Sequence, residues 1–172
     1  MADLAARVGA CPGVLQPGET VLAAARVFST GYLKLRVLLF MLAGLGAFVM
    51  SQAIDENASI AVNAAAGVAA FSVAETLLNA LHRAPQGFAN RMVLACTEHR
   101  LLFVGTSSWT GLPTGVLTAL AFSDVRRVTI EQRRVSFWRF GYLVLHRHDG
   151  SETDVETTAR GAALLAHIDA RV

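Results

Sequence analysis

Charged residues are scarce in this sequence. Asp, Glu, Lys and Arg make up 16% of the 172 residues, against a usual share of about 25%. The formal net charge is only +2, so the whole molecule has no strong attraction for a polyanion, and we expect no nucleic-acid partner. The apolar excess is concentrated in residues 33–81, which favours a membrane segment over an ordinary core.

Cysteine and the common catalytic signatures are also scarce or absent. Cys11 and Cys96 lie far apart without CxxC spacing, which predicts two reduced structural thiols. The patterns GxxxxGK, GxSxG and HExxH do not occur. Glu75 and His82 are the only acid and base worth considering as a catalytic pair, and they meet few criteria for an active site. We therefore expect no enzyme, no catalytic residues, no cofactor and no metal.

Two histidines have a spacing that would suit metal ligands. His146 and His148 would lie on the same face of a strand, with Asp149 next to them. Because no fourth ligand is in view, a solvated strand end is the preferred interpretation.

Two long uncharged runs follow one another near the middle of the chain. Val37–Ile54 and Ala58–Ala74 are separated only by the acidic linker Asp55–Asn57. As a helix the first run would cover roughly 27 Å, close to the hydrocarbon thickness of a bilayer. This pattern predicts a transmembrane helical hairpin over residues 33–82.

The charges beside the two runs predict their orientation. Positive residues lie on the outer flanks of the hairpin and none lies in the linker, so both ends should face the cytoplasm. The N-terminus lacks the apolar run of a secretion signal, and the usage of alanine, arginine and valine is typical of a high-GC bacterium. We expect a bacterial inner-membrane protein with cytoplasmic termini. The flanking residues are Lys34, Arg36, His82, Arg83 and Arg91.

The second run contains two polar residues, Asn63 and Glu75. An acid inside a bilayer needs a partner or water, so both residues should face the first helix or another subunit. Alanines recur every four residues in both runs and would allow close helix packing. The alternative is a soluble, alanine-rich hairpin that packs on the rest of the chain or self-associates. The alanines are Ala43 and Ala47, then Ala66, Ala70 and Ala74.

From Arg91 onward short β-rich runs alternate with turns, and residues 159–171 have the apolar spacing of an amphipathic helix. Residues 14–28 fit a strand or a helix equally well. These patterns indicate an antiparallel sheet capped by a C-terminal helix. The predicted strands are Met92–Cys96, Leu101–Val104, Leu117–Phe122, Val125–Gln132, Trp138–His146 and Thr153–Thr157, with a tight turn at Asp149-Gly150.

Three motifs in this order resemble the bacterial pleckstrin-homology-like (PH-like) domains and their GRAM-like relatives. They are the "PGE" opening at Pro17–Glu19, the "TEHRLLFV" hairpin at Thr97–Val104 and the "SDVRRV" step at Ser123–Val128. The resemblance covers roughly residues 14–28 and 88–171. It implies a strongly bent antiparallel barrel or sandwich of about seven strands, closed by the C-terminal helix and without catalytic residues.

The resulting domain organisation is a split PH-like β-domain interrupted by the hairpin. The β-domain comprises residues 14–30 and 88–172, the hairpin comprises 33–82, and 1–13 form an N-terminal segment. The fold class is therefore α+β with an inserted two-helix transmembrane hairpin.

A cluster of arginines interleaved with aromatic residues is the most suggestive binding feature. Beside a membrane anchor, such residues would contact anionic headgroups, each contributing about 1 kcal/mol. The alternative is a solvated hairpin face. Trp109, in a loop, would contact the membrane interface or a partner's pocket, or fold back on its own domain. The arginines are Arg126, Arg127, Arg133, Arg134 and Arg139.

These features predict a non-catalytic, membrane-anchored binding or scaffold protein. Its expected partners are membrane lipid, a protein, or further copies of itself. A second hypothesis of a different class is a soluble structural protein whose apolar hairpin mediates homo-oligomeric assembly.

Overall fold

The protein consists of two compact units, Met1–Thr30 with Ala84–Val172, and Gly31–Arg83. The fold is α+β, as predicted, with a seven-stranded antiparallel sheet. A computed structural model describes residues 2–54, 60–82, 84, 87–107, 110–135, 138–157, 164 and 168, with the backbone alone for 2–3, 50–54, 60–61, 63, 132–135 and 138–140.

The elements follow one another in the order helix, strand, two helices and six strands, with one 3₁₀ turn between the fourth and fifth strands. They are α1 (Ala2–Gly9), β1 (Val21–Ser29), α2 (Tyr32–Ile54), α3 (Ile60–Leu81), β2 (Arg91–Thr97), β3 (Arg100–Thr106), β4 (Pro113–Ala121), the 3₁₀ turn (Phe122–Asp124), β5 (Val125–Val135), β6 (Trp138–Arg147) and β7 (Glu152–Thr157).

The sheet must curve strongly for its connections to close. The strand order is β4-β3-β2-β1-β7-β6-β5, so β4 and β5 are the two edges. In a flat sheet these edges would lie roughly 29 Å apart, at about 4.8 Å per strand. The turn Phe122–Asp124 alone connects them, and three residues reach only about 10 Å. The end of β4 and the start of β5 must therefore be brought together by bending.

One core joins the two halves of the curved sheet. Leu101 and Phe103 from β3 and Leu143 and Leu145 from β6 belong to the same buried cluster. Leu164 and Ile168 are also buried in it. Both are helical, whereas the rest of the C-terminal helix predicted at 159–171 lies outside the described residues.

The N-terminal helix α1, which the sequence did not predict, covers the opposite face of β1, β2 and β3. Val8 and Val14 are fully buried there against Val93 and Leu102. Strands β2 and β3 are consequently buried on both faces. Their nearly continuous apolar runs are typical of strands covered on both sides.

The strand bounds differ from the sequence prediction mainly in β4. This strand begins at Pro113, where the pattern predicted a start at Leu117. Two of the added residues, Pro113 and Gly115, have low strand propensity, and two register shifts interrupt the pairing of this segment with β3. Pairing with a buried neighbour therefore overrides local propensity. Residues 14–28, for which strand and helix fitted equally well, contain all of β1 except its last residue, Ser29.

The "PGE" motif forms a tight turn. The Glu19 amide donates to the Gln16 carbonyl over 3.0 Å, and Gly18 has a φ of 82°. Proline followed by glycine at the two central positions is typical of a type II turn, where the second position requires a positive φ. The turn directs the Glu19 side chain back toward the chain, where its Oε2 accepts a 2.9 Å bond from the Gln16 amide.

The Glu19 carboxylate links this turn to the β2–β3 hairpin. Arg100 donates to both carboxylate oxygens, over 2.9 Å from Nε and 2.7 Å from Nη2. Thr97 donates to Oε1 over 2.7 Å. These bonds lower the pKa of Glu19 from its ordinary 4.5 to about 2, with the Arg100 bond the largest cause. We call Glu19, Thr97 and Arg100 the clasp; it joins the first two motifs of the resemblance in space.

We predict that Glu19→Gln destabilises the sheet unit. The lowered pKa contributes stability that is present above pH 4.5 and is lost as pH falls toward 2. A difference between 4.5 and about 2 corresponds to roughly 3 kcal/mol. Thermal unfolding of the full chain in detergent, followed by circular dichroism, should show this loss at neutral pH and a flatter acid dependence in the variant.

The matched control is Glu98→Gln, in the same hairpin. Glu98 is exposed and accepts a bond from Thr20, so its replacement should cost less than about 1 kcal/mol. Equal destabilisation by both substitutions would contradict the role of the clasp.

Candidate functional site

The helices α2 and α3 present apolar side chains to solvent around their circumference. Both are long and apolar enough to cross a membrane, and only 11% of each candidate span is buried. A core helix of a soluble domain would be mostly buried, with a polar outer face. Prominent exposed side chains are Leu42, Leu45 and Phe48 on α2, and Val68, Val73 and Leu81 on α3.

Polar side chains from α2 and α3 meet near the start of α2 and the end of α3. The Tyr32 hydroxyl lies 3.2 Å from Glu75 Oε1 and 3.3 Å from Asn79 Oδ1. Arg36 Nε donates to Glu75 Oε2 over 3.3 Å. The Tyr32 ring also contacts His82 edge-on, with centroids 5.5 Å apart. We call these five residues the hairpin cluster.

An aromatic contact lies one helical turn beyond the ion pair. Phe40 and Phe71 stack with ring centroids 4.1 Å apart and planes 6° from parallel. The Arg36 guanidinium lies 5.0 Å from the Phe40 ring centre. Since each of these positions is four residues from a member of the hairpin cluster, one face of each helix supplies both contacts. The cluster and the stack together fix the register of the two helices.

Two hydroxyl groups of α3 are satisfied within their own helix. Ser72 donates to the Val68 carbonyl and Thr76 to the Ser72 carbonyl, both over 2.9 Å. Such bonds to the preceding turn satisfy a hydroxyl without water. Glu75, predicted from the sequence to need a partner, has Arg36 and Tyr32. The side chain of Asn63 lies outside the described residues.

The sequence interpretation overlooked Tyr32 and Asn79 and gave Arg36 only an orienting role. Tyr32 and Arg36 are four residues apart, as are Glu75 and Asn79, so each pair occupies one helix face. This spacing in the sequence indicates which residues share a helix face. It does not indicate which face of α2 contacts α3.

The predicted arginine cluster does not occupy one place on the sheet. Arg126 and Arg127 are exposed at the start of β5, where a register shift indicates a bulge. Arg133 is six residues farther along, or roughly 20 Å at 3.3 Å per residue. The two groups therefore lie near opposite ends of the strand.

The backbone register defines the second group. Arg133 is opposite Phe140, and Arg134 is opposite Arg139. The side chains of these arginines lie outside the described residues, as does all of Trp109.

An exposed apolar patch lies where β3 connects to β4. Leu112, Val116 and Leu117 are 45%, 38% and 40% exposed. Ser107 donates its amide to the Leu112 carbonyl over 2.9 Å, which closes the connection. The loop that contains Trp109 therefore joins a segment with apolar side chains exposed to solvent.

His146 belongs to a chain of hydrogen bonds across β5, β6 and β7. Its Nε2 lies 2.8 Å from Thr129 Oγ1 and its Nδ1 lies 2.9 Å from Glu152 Oε1. Because both ring nitrogens have partners, neither is free for a metal. Among the described residues there is no group of three or more His, Cys, Asp or Glu that could hold a metal ion.

The chain matches no protein-family model, no curated protein and no solved structure.

We predict that Arg36→Gln or Glu75→Gln alone weakens the helical hairpin by about 1–2 kcal/mol, because each removes the ion pair between two partly buried side chains and leaves the other charge in place. The double substitution should destabilise less than the sum of the singles. Helix unfolding in detergent, followed by circular dichroism, measures both effects. Thr76→Val is the control, since the Thr76 hydroxyl donates to the Ser72 carbonyl of its own helix and not to the ion pair. Additive losses would show that the two charges are not coupled.

Proposed function

We propose that the protein is a membrane-anchored, non-catalytic binding or scaffold protein. In this proposal α2 and α3 span a bacterial inner membrane as a hairpin, and the sheet unit lies on the cytoplasmic side. The observation that carries it is the exposed apolar surface of both helices. A contiguous surface of this kind requires lipid or protein to cover it.

The hydrogen bonds of the polar side chains in α2 and α3 support a lipid environment for these helices. In a bilayer, side-chain and backbone polar groups must find partners within the protein. Ser72 and Thr76 bond to their own helix, and Glu75 pairs with Arg36 and Tyr32. The positive residues that flank the hairpin favour a cytoplasmic location for both of its ends.

The topology of the sheet unit supports a PH-like domain. An antiparallel sheet of seven strands curves so that its two edges meet through Phe122–Asp124. The clasp gives the first two motifs of the resemblance a shared structural role, because Glu19 of one binds Arg100 of the other. In this interpretation the helical unit replaces the connection between β1 and β2.

Anionic lipid headgroups are the partner that the exposed residues of the sheet unit favour. Arg126 and Arg127 are exposed at the start of β5, and Leu112 and Leu117 are exposed beside the loop with Trp109. Guanidinium groups attract phosphate, and apolar side chains enter the interface. The second arginine group lies near the other end of β5, and Leu112 lies nine residues before the end of β4, roughly 30 Å away along that strand. Each of these groups would therefore require a separate contact.

We predict that the protein stays with the membrane pellet after carbonate extraction, because two apolar helices hold it in the bilayer. A fully released protein that purifies without detergent as a large uniform particle would refute the anchor. That result would support homo-oligomeric assembly through the hairpin.

We predict that Arg126→Gln/Arg127→Gln reduces contact with anionic lipid. The probe is an environment-sensitive dye on Ser123→Cys, beside these arginines, in a chain with Cys11 and Cys96 replaced by alanine. Its emission should shift to the blue in nanodiscs with phosphatidylglycerol but not in phosphatidylcholine alone. The double substitution should abolish the shift, since each arginine contributes about 1 kcal/mol.

Arg26→Gln, which removes an exposed arginine from β1, is the control and should keep the shift. An unchanged shift in the double variant would remove Arg126 and Arg127 from the lipid contact.

A further inference from the structure

A small cavity lies in the sheet unit, at the end of β1 from which the chain passes into α2. Strand β1 ends at Ser29, opposite Val155, but β7 begins three residues before Val155, at Glu152. Within the described part of the chain, Glu152–Asp154 therefore pair with β6 alone. The gap beside this part of β7 is a cavity of about 90 Å³.

The lining of the cavity combines apolar walls with an acidic rim. Phe88, Met92 and Val155 supply apolar side chains. Glu152 and Asp154 also line the cavity and are exposed to solvent. A cavity of this volume admits a group of a few non-hydrogen atoms, since one water takes about 30 Å³ in the liquid. Apolar walls beside two negative charges favour a small organic cation.

Hydrogen bonds hold both carboxylates in place. The Thr30 hydroxyl donates to Asp154, 2.8 Å from Oδ2 and 3.0 Å from the carbonyl oxygen. Glu152 Oε1 lies 2.9 Å from His146 Nδ1. Within the described residues, the second oxygen of each carboxylate has no hydrogen bond. Each carboxylate can therefore accept a further bond from a ligand.

These acceptors suit a primary ammonium group. Such a group has three N–H donors, enough to reach both Glu152 and Asp154. Its charge is also attracted to the face of an aromatic ring, which Phe88 supplies in the same cavity. A quaternary ammonium is larger and has no N–H to donate. The chemistry of the cavity therefore favours a primary ammonium over a quaternary one.

The position of the cavity favours a lipid as the source of this ammonium. Helix α2 begins at Tyr32, three residues after Ser29, and three residues reach only about 10 Å. If α2 enters the bilayer, the cavity borders the lipid headgroups.

A neighbouring cation favours a zwitterionic headgroup over a lysine side chain. Arg147 Nη2 donates over 3.0 Å to the hydroxyl of Thr153, which lines the cavity. The Arg147 guanidinium would repel a lone ammonium, whereas a phospholipid headgroup brings a phosphate of opposite charge with it.

We propose that this cavity binds the ethanolamine headgroup of a membrane phospholipid, with the ammonium at Glu152 and Asp154. The inference rests on the proposed membrane anchor and adds a zwitterionic lipid to the anionic contact at β5. Arg127 lies opposite His146, and His146 lies opposite Glu152. The two lipid contacts are thus two strands apart, or roughly 10 Å.

The test measures which lipids the full chain retains. The chain in detergent is mixed with equal amounts of phosphatidylethanolamine and phosphatidylcholine that have the same acyl chains, and native mass spectrometry counts the lipid adducts. We expect about fivefold more phosphatidylethanolamine, since the ammonium contacts are partly exposed to solvent. Retention should fall stepwise as the ammonium carries one, two and three methyl groups.

The double substitution Glu152→Gln/Asp154→Asn should remove this preference. Both changes keep the shape of the side chain at exposed positions, and thermal unfolding checks that the fold is kept. The matched control is Glu98→Gln/Asp149→Asn, which removes the same charge from two exposed acids that do not line the cavity. The control should keep the preference.

Three outcomes would overturn the inference. They are equal retention of the two lipids by the wild-type chain, a preference that the cavity variant keeps, and an equal loss in the control. Equal retention together with binding of a lysine-rich peptide would assign the cavity to a protein contact instead. All of these outcomes leave the membrane anchor intact, because lipid is still retained. A chain that purifies without detergent and retains no lipid would overturn the anchor as well.

Discussion

The pairing of β1 with β2 is the constraint on which the rest of the structure depends. Phe28 lies opposite Arg91, and the Ser29 amide donates to the Asn90 carbonyl. Two residues close in space are thus separated by the whole helical segment. Because β1 and β2 are paired, the segment that contains α2 and α3 must begin and end at neighbouring positions on the sheet. An antiparallel helical hairpin meets this requirement with short connections.

Two ion pairs each hold two segments of the chain in a defined relative position. Glu19 and Arg100 join the first turn to the β2–β3 hairpin, and Arg36 and Glu75 set the register of α2 against α3. Partly buried ion pairs add little net stability compared with apolar contacts, but removing one partner is costly. Their main contribution is therefore to specify one arrangement among several that apolar packing would allow.

The sequence predicted the elements better than their contacts. The strands after Arg91 have apolar runs separated by turn residues, so local pattern was sufficient. Helix α1 was missed because Val8 is buried by strands distant in sequence. Glu75 was expected to need a partner, but the role of Tyr32 depends on the register between two helices. The sequence placed all five arginines in one patch, although the ladder of β5 and β6 puts Arg126 and Arg127 at one end of β5 and Arg133 and Arg134 near the other. Pairing over long sequence distances explains each of these differences.

The membrane location of α2 and α3 is tested most directly by the accessibility of single spin labels along α2. Labels replace exposed Leu42, Leu45 and Phe48 in turn, in reconstituted bilayers of the full chain without its native cysteines. Helices in lipid should give labels accessible to molecular oxygen and protected from a water-soluble nickel chelate. Labels that the nickel chelate reaches freely, or that neither reagent reaches, would contradict the account, because they would place these side chains in water or in a protein contact.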